Sequence, residues 1–178
     1  GDAGLRRGEL IGLRWCDVDL RRRITTVQQA VWKGIVDVPK SGRGRVIPMT
    51  DALANALARH RHLRGERVFY DDAGQPATEK ILRGWLAAAQ RRAGLARATG
   101  ALHVLRHTFC SHLAMRGAPA KAIQELAGHE DLATTLRYMH LSPAARESAI
   151  ALLNRRGEVS DFGDIVETGV LDSRNVGK

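Results

Sequence analysis

The sequence predicts an α+β fold that is mainly α-helical, with a small three-stranded antiparallel β-sheet near the N-terminus. Segments rich in β-branched residues are confined to positions 24–49, which places the sheet early in the chain. From position 51 onward, apolar residues recur at helical spacing, and glycine or proline separates the segments. A chain of 178 residues is long enough to bury one hydrophobic core.

The expected sheet comes from two segments that follow an apolar helical start, GDAGLRRGELIGLRW. ITTVQQAV (24–31) is predicted to form one strand. VDVPKSGRGRVIPM (36–49) is predicted to form two short strands around the turn Ser41-Gly42-Arg43-Gly44, because glycine-rich turns join antiparallel strands. The chain begins within a helical unit, so we expect it to be a fragment that lacks an N-terminal part.

The rest of the chain is predicted to be helical between recognisable caps. Thr50 or Asp51 begins the first of these helices, and Gly128 ends the fourth. The expected helices cover 51–63, 80–94, about 102–115, 119–126, 132–139 and 143–153. The tail 155–178 lacks strong periodicity.

The charge of the chain favours a polyanionic partner. There are 28 basic and 19 acidic side chains, which gives a net charge of +9. The excess positive charge lies before the tail, because 155–178 is close to neutral. The alternative is that the basic residues serve solubility or reflect a bias toward arginine.

Cys16 and Cys110 lie far apart and lack metal-ligand spacing. We expect both to be reduced, buried side chains of a cytoplasmic protein. The sequence has no apolar run of membrane-spanning length and no signal-peptide pattern, which agrees with that compartment.

Residues 103–140 concentrate side chains that suit phosphate chemistry. His103 and Arg106 stand three residues apart, so they share a helical face. The arginine can hold two phosphate oxygens, and the histidine can move protons. The alternative is an ordinary polar helix face. His107 on the same helix is expected to point elsewhere and to make a structural hydrogen bond.

Two later residues extend this set. His129 follows Gly128 at the end of a helix, where histidine often serves only as a cap. Tyr138 lies among apolar residues, where it can be a half-buried core phenol. Taken together, the segment supplies a cation, two proton carriers and a nucleophile, which can cut a nucleic-acid backbone without metal.

The order and spacing of these residues resemble the tyrosine recombinase (phage integrase) family. HVLRHTF matches its His-x-x-Arg-His motif, LAGH its Leu-x-Gly-His-like element, and a tyrosine follows nine residues after that histidine. GLRRGEL matches the early Gly-Leu-Arg-x-x-Glu-Leu motif, and PKSGRGRVIPM the hairpin that carries the family lysine. The resemblance covers about residues 4–150 and implies the tyrosine recombinase catalytic core.

By this resemblance, six residues form the catalytic set: Arg6, Lys40, His103, Arg106, His129 and Tyr138. Tyr138 would attack the scissile phosphate and give a 3′-phosphotyrosine, with His103 as the expected proton carrier. The two arginines would bind the phosphate oxygens with His129, and Lys40 would protonate the leaving 5′-oxygen. Lys33, Arg43 and Arg45 lie close to Lys40 in sequence and are candidate contacts to the DNA backbone.

The family also implies the organisation and partners of the chain. We expect a catalytic domain at 1–154, a tail at 155–178 that is flexible or docks on its own or a neighbouring protomer, and no N-terminal DNA-binding domain in this chain. The tail residues suited to docking are Phe162, Ile165 and Val166. The expected partner is double-stranded DNA, bound by a tetramer in a bacterial or phage-encoded recombination system near the nucleoid. An isolated fragment would be a monomer, and no cofactor or metal is expected.

Two other functions remain open at this point. A type IB topoisomerase shares the same chemistry but relaxes one duplex instead of exchanging two. A catalytically silent DNA-binding module would use a helix–turn–helix drawn from 102–126, but it leaves Arg6, Lys40 and Tyr138 without a role.

Overall fold

The structure, a computed structural model, describes residues 2–38, 44–97, 100, 102–141 and 150–151. Almost all of these belong to one compact unit, Gly1–Pro143, and only 150–151 belong to a second unit, Ala144–Lys178. Residues 150 and 151 are helical. The rest of the predicted last helix, and the tail with its proposed docking residues, lie outside the described residues.

Short strands fill the first third of the chain, as expected. They are β1 Val18–Asp19, β2 Ile24–Val27, β3 Ala30–Trp32, β4 Ile35–Asp37 and β5 Arg45–Pro48. The strands β1, β2 and β5 form a three-stranded antiparallel sheet, and β3 pairs with β4 in a separate hairpin. The prediction of a small antiparallel sheet is confirmed.

The predicted strand pairing was wrong in detail. The expected strand 24–31 is interrupted at 28–29, so that β2 and β3 are separate. Lys33 and Gly34 both adopt positive φ, 48° and 83°, and form a two-residue turn that pairs β4 with β3. β5 therefore pairs with β2 instead of with β4, with Thr25 opposite Ile47.

The described helices lie where capping residues predicted them. They are α1 Arg7–Gly12, α2 Asp51–His60, α3 Glu79–Arg92, α4 His103–Met115, α5 Ala120–Ala127 and α6 Leu132–Met139. Thr50 caps α2, because its Oγ1 accepts a hydrogen bond from the Leu53 amide at 3.2 Å. Gly128 ends α5 in the left-handed conformation, with φ 68°. α2 ends three residues earlier than expected, at His60 rather than at residue 63.

Helices α4, α5 and α6 share one apolar cluster that positions the later part of the site. Its fully buried members are small or slender: Cys110, Ala114, Ile123 and Ala127. Tyr138 and Met139 of α6 pack against this cluster. The small side chains let the helices approach closely, so the residues of α4 and α6 are brought together.

The two cysteines differ from each other. Cys110 is buried in the helical cluster, as predicted, but Cys16 is exposed, so the prediction for it was wrong. Cys16 lies in a 3-10 turn, Trp15–Asp17, in which Asp17 is the buried residue. The Asp17 carboxylate accepts from Arg14 Nε at 3.1 Å. The turn therefore places the carboxylate inward and the thiol outward.

No helix within the described ranges combines the length and the apolar character that crossing a membrane requires.

Candidate active site

A buried carboxylate organises the start of the site. Glu9 is 1% exposed, and both of its oxygens accept hydrogen bonds from Arg45, at 2.9 and 2.7 Å. Arg6 donates to the same carboxylate from Nη1 at 3.0 Å and from its backbone amide at 2.7 Å. Burial raises the pKa of Glu9, but the hydrogen bonds and charges of the two arginines lower it below its usual value. Glu9 is therefore an anion that holds two guanidinium groups in fixed orientations.

The same two arginines reach the end of α5. Arg45 Nε donates to the Leu126 carbonyl at 2.9 Å, and Arg6 Nη2 donates to the carbonyl of Gly128. A Cβ at Gly128 would lie 2.9 Å from Arg45 Nη1, and the residue has positive φ, so both constraints favour glycine there. These bonds connect α1, β5 and the end of α5 directly before His129.

Arg45 was predicted to contact the DNA backbone. Its side chain is 10% exposed, and its three guanidinium nitrogens all donate to acceptors within the protein. This guanidinium is thus engaged by Glu9 and Leu126, which gives Arg45 a supporting place beside Arg6.

Arg106 is the most deeply buried of the predicted cations that the structure describes. It is 8% exposed, and its Nη1 donates to the Gly4 carbonyl at 2.7 Å. Its Nη2 is buried and has no hydrogen-bond partner within the part of the chain that the structure describes. Burial, followed by the positive charge of Arg6, lowers the pKa of Arg106 to about 10. The group remains charged at neutral pH, with a buried donor available for an anion.

A cleft of about 640 Å³ brings three of the predicted catalytic residues together: Arg6, His103 and Arg106. His103 is the first residue of α4 and is exposed. Asp37 and Val38, at the end of the β3–β4 hairpin, also line this cleft.

Of the other cations predicted near the hairpin, the structure describes Lys33. Lys40 and Arg43 lie outside the described residues, although Lys40 follows the cleft residue Val38 by two positions. Lys33 occupies the β3–β4 turn, where it lines a different cleft with Arg7 and Trp32.

His129 lies directly after Gly128, where the connection from α5 to α6 begins. Its Nδ1 lies 2.8 Å from Thr135 Oγ1, a buried hydroxyl. Burial lowers the pKa of His129, and the positive charges of Arg106 and Arg6 lower it further, to about 4. His129 is therefore neutral at neutral pH and can act as a hydrogen-bond donor, but not as a cation.

Tyr138 lies between two histidines. Its ring is parallel to that of His129, with an angle of 3° and a centroid distance of 6.3 Å. Its hydroxyl lies 2.6 Å from His107 Nδ1. Burial, followed by the neighbouring Cys110, raises the pKa of Tyr138, although the charges of Arg106 and Arg137 oppose this. At neutral pH the phenol keeps its proton.

The expectation that His107 points away from the other site residues was wrong. His103, His107 and Cys110 are spaced by four and three residues on α4, so they follow one face of the helix. The spacing of these three residues was therefore enough to predict that His107 shares a face with His103. The hydrogen bond that His107 makes is to the predicted nucleophile.

Within the described ranges, no three His, Cys, Asp or Glu side chains are grouped in a way that could hold a metal ion. The described arrangement instead combines two adjacent arginines, a neutral histidine donor and a protonated phenol with a histidine at its hydroxyl. The two arginines can bind a phosphate in their cleft, whereas Tyr138 and His129 are not among the described residues that line it.

The chain is similar to known proteins of one family. The phage integrase family matches residues 2–145. The chain is 28% identical to the tyrosine recombinase XerC-like protein of Caldanaerobacter subterraneus subsp. tengcongensis, over 85% of this chain and 46% of that protein. It is 33% identical to tyrosine recombinase XerC of Xylella fastidiosa (strain 9a5c), over 78% of this chain and 45% of that protein.

A solved structure is similar as well. It is the Tn1549 transposon integrase in complex with transposon right end DNA, with a TM-score of 0.72 and 26% identity. The match covers 86% of this chain and 56% of that one. The chain spans about half the length of the curated relatives that it matches. The family resemblance seen in the sequence is confirmed, and the chain belongs to the phage integrase family.

Proposed function

We propose that this chain is the catalytic domain of a site-specific DNA recombinase that cuts and rejoins DNA through a 3′-phosphotyrosyl intermediate. The observation that carries the proposal is the cleft in which Arg6 and Arg106 meet, with a buried Arg106 Nη2 that lacks a partner among the described residues. A scissile phosphate supplies the acceptor that this donor needs. The solved relative bound to transposon DNA supports duplex DNA as the substrate.

The arginines supply the electrostatic part of the reaction. A pentacoordinate phosphorus carries more negative charge on its non-bridging oxygens than the starting diester. Arg6 and Arg106 face those oxygens, and His129 adds a neutral N–H donor. Removal of one such preorganised donor typically costs on the order of 3 kcal/mol in activation free energy.

The covalent step forms one ester and breaks another. Tyr138 Oη bonds to the phosphorus as it loses its proton, and the bond to the 5′-oxygen breaks. Lys40, close in sequence to the cleft residue Val38, donates a proton to that oxygen. The phosphotyrosine keeps the bond energy, so a second 5′-hydroxyl can reseal the strand without ATP.

The proposed function also includes the domain organisation, the assembly and the DNA contacts of the chain. We place the catalytic domain at 1–154 and assign to 155–178 a tail that is flexible or docks on its own or a neighbouring protomer. Four copies would act together on two duplexes, since exchange between duplexes requires four cuts. Lys33 and Arg43 would contact the DNA backbone beside the cleft.

Covalent capture on DNA tests the function directly. The chain is incubated with nicked duplexes of randomised sequence, and the linked peptide is mapped by mass spectrometry. We expect the adduct on Tyr138, and Tyr138→Phe should abolish it while DNA binding persists. Tyr70→Phe is the matched control, because the chain has two tyrosines and the Tyr70 hydroxyl accepts a hydrogen bond from the Arg67 amide, away from the predicted site residues. A DNA adduct on another residue, or none, would contradict the proposal.

Relaxation of supercoiled plasmid separates the recombinase from the topoisomerase alternative. A type IB topoisomerase relaxes plasmid freely, without a preferred sequence. A recombinase domain should act only on plasmids that carry a captured target site. Equal relaxation of plasmids with and without such a site would favour the topoisomerase.

A further inference from the structure

We propose that His107 is the general base that takes the phenolic proton of Tyr138, a role that sequence analysis assigned to His103. This inference rests on the proposed function, because it concerns the nucleophile of that reaction. It assigns a catalytic task to a residue outside the six expected ones.

The proposal rests on the contact between the side chains of His107 and Tyr138. Tyr138 Oη lies 2.6 Å from His107 Nδ1, and His107 is its one hydrogen-bond partner among the described residues. Because the protonated phenol is the donor here, Nδ1 is the acceptor, and the imidazole carries its hydrogen on Nε2. A base in this position is already within reach of the proton that it must remove.

The other histidines are placed for different tasks. His103 lies one helical turn before His107 and lines the cleft with Arg6 and Arg106, where the phosphate is expected. His129 has its Nδ1 beside Thr135 Oγ1, and its ring lies parallel to the phenol. His129 also resists protonation, with a pKa lowered to about 4 by burial and by the nearby arginines. Of the three, His107 alone is aimed at the phenolic oxygen.

The surroundings of the phenol create the need for a base. Burial, followed by Cys110, raises the pKa of Tyr138, and the charges of Arg106 and Arg137 offset this only in part. The groups that face the pair are thus His129, Cys110, Arg106 and Arg137. Arg106 and Arg137 are cations, the Cys110 thiol is buried with a raised pKa, and His129, with its pKa lowered to about 4, is a weak base, so none of them is suited to remove the proton. His107 is exposed, so it can exchange the proton with water.

The proton balance is complete in both directions. As the Oη–P bond forms, the Oη–H bond breaks and its proton passes to His107 Nδ1, which becomes imidazolium. The P–O5′ bond breaks, and the 5′-oxygen receives a proton from the acid assigned to Lys40. On resealing, the 5′-hydroxyl returns its proton to the neutral Lys40 amine as its oxygen bonds to phosphorus, and the departing phenolate recovers a proton from His107.

The first test replaces the base but keeps an acceptor. His107→Asn retains an acceptor near the position of Nδ1, yet an amide cannot take up the proton. We expect single-turnover cleavage of captured nicked DNA to fall about 10²–10³-fold, while DNA affinity is unchanged. His112→Asn, the same change at another exposed histidine of α4, should leave the rate unchanged. Equal cleavage rates in the two variants would overturn the proposal.

The second test separates proton removal from positioning. Incorporating 3,5-difluorotyrosine at position 138 makes the phenol more acidic, so it depends less on a base. We expect this phenol to restore most of the rate in the His107→Asn background. A positional role predicts no restoration, and that result would overturn the assignment of a base.

These outcomes are distinct from a failure of the proposed function. If the unmodified chain forms no adduct through Tyr138, the recombinase proposal itself fails. If the chain is captured through Tyr138 but His107→Asn cleaves as fast as His112→Asn, only the role of His107 fails. The pH profile adds a third readout: the rate of the unmodified chain should rise as a histidine loses its proton, and His107→Asn should lack that rise.

Discussion

The arginine half and the tyrosine half of the site are held in different ways. Arg6 and Arg45 are fixed by a buried carboxylate and by the carbonyls at the end of α5. Tyr138 is half-buried, packs against the apolar cluster of α4 and α5, lies parallel to the His129 ring and, among the described residues, makes one hydrogen bond, to His107. Ion pairs to a buried carboxylate thus hold the arginines, whereas apolar packing and a hydrogen bond hold the nucleophile. Such a division suits a reaction in which the tyrosine must first attack the phosphate and later leave it.

The largest effect on stability is expected for Glu9, the carboxylate that binds the arginines. Glu9→Gln removes the buried charge that the guanidinium groups of Arg6 and Arg45 share, and breaking a buried pair in this way costs about 3–5 kcal/mol. We expect the free energy of unfolding, measured by urea denaturation, to fall by that amount. Glu125→Gln is the matched control, since its pair with Lys121 is exposed at both ends and contributes about 0.5 kcal/mol or less. Similar losses in the free energy of unfolding of both variants would contradict the prediction that Glu9 stabilises this part of the fold.

Arg106→Lys tests whether the guanidinium group of Arg106 contributes to DNA cleavage. Lysine keeps the charge but cannot place two N–H groups in the geometry of a guanidinium. We expect cleavage of captured DNA to fall by about 10²–10³-fold, or on the order of 3 kcal/mol in activation free energy, with a small loss in binding. Arg116→Lys, at the exposed end of α4, is the control and should cleave normally. Equal losses in cleavage and in binding would make Arg106 a structural residue.

The smallest effect concerns the pH dependence of stability on the tyrosine side. In the unfolded chain His129 gains a proton near pH 6.5, whereas in the folded protein its pKa is lowered to about 4. Between these values the unfolded state binds more protons, so the free energy of unfolding decreases as the pH falls. We expect this decrease to be about 1–2 kcal/mol, because His129 is partly exposed. Denaturation of His129→Gln at several pH values should show a shallower slope, and an unchanged slope would contradict the prediction.

Local signals explain why most helices were predictable. Thr50 caps α2 through a hydrogen bond to an amide three residues away, and Gly128 ends α5 with a positive φ. Both interactions are complete within a few residues of the chain, so the sequence contains all that is needed. The Lys33-Gly34 turn is also local, but the glycines at 42 and 44 made a different hairpin look more favourable.

Side-chain orientation was harder to predict than position. Cys16 faces outward, whereas its neighbour Asp17 is buried and accepts a hydrogen bond from Arg14. Arg45 was expected at the DNA surface, but Glu9 binds it, and Glu9 is 36 residues away in sequence. Such pairings depend on which elements pack together, which periodicity and caps do not reveal.

By itself, the sequence determined the fold class, the positions of the helices and the family. It did so because caps, apolar spacing and the GLRRGEL, HVLRH and LAGH motifs are local patterns. Only the tertiary structure decided which groups share a partner. The packing of α4 against α6 brings His107 to the Tyr138 hydroxyl, and the packing of α5 against β5 places Arg45 where it binds Glu9 together with Arg6. Those contacts join residues far apart in the chain, so their chemistry becomes defined only when the core has formed.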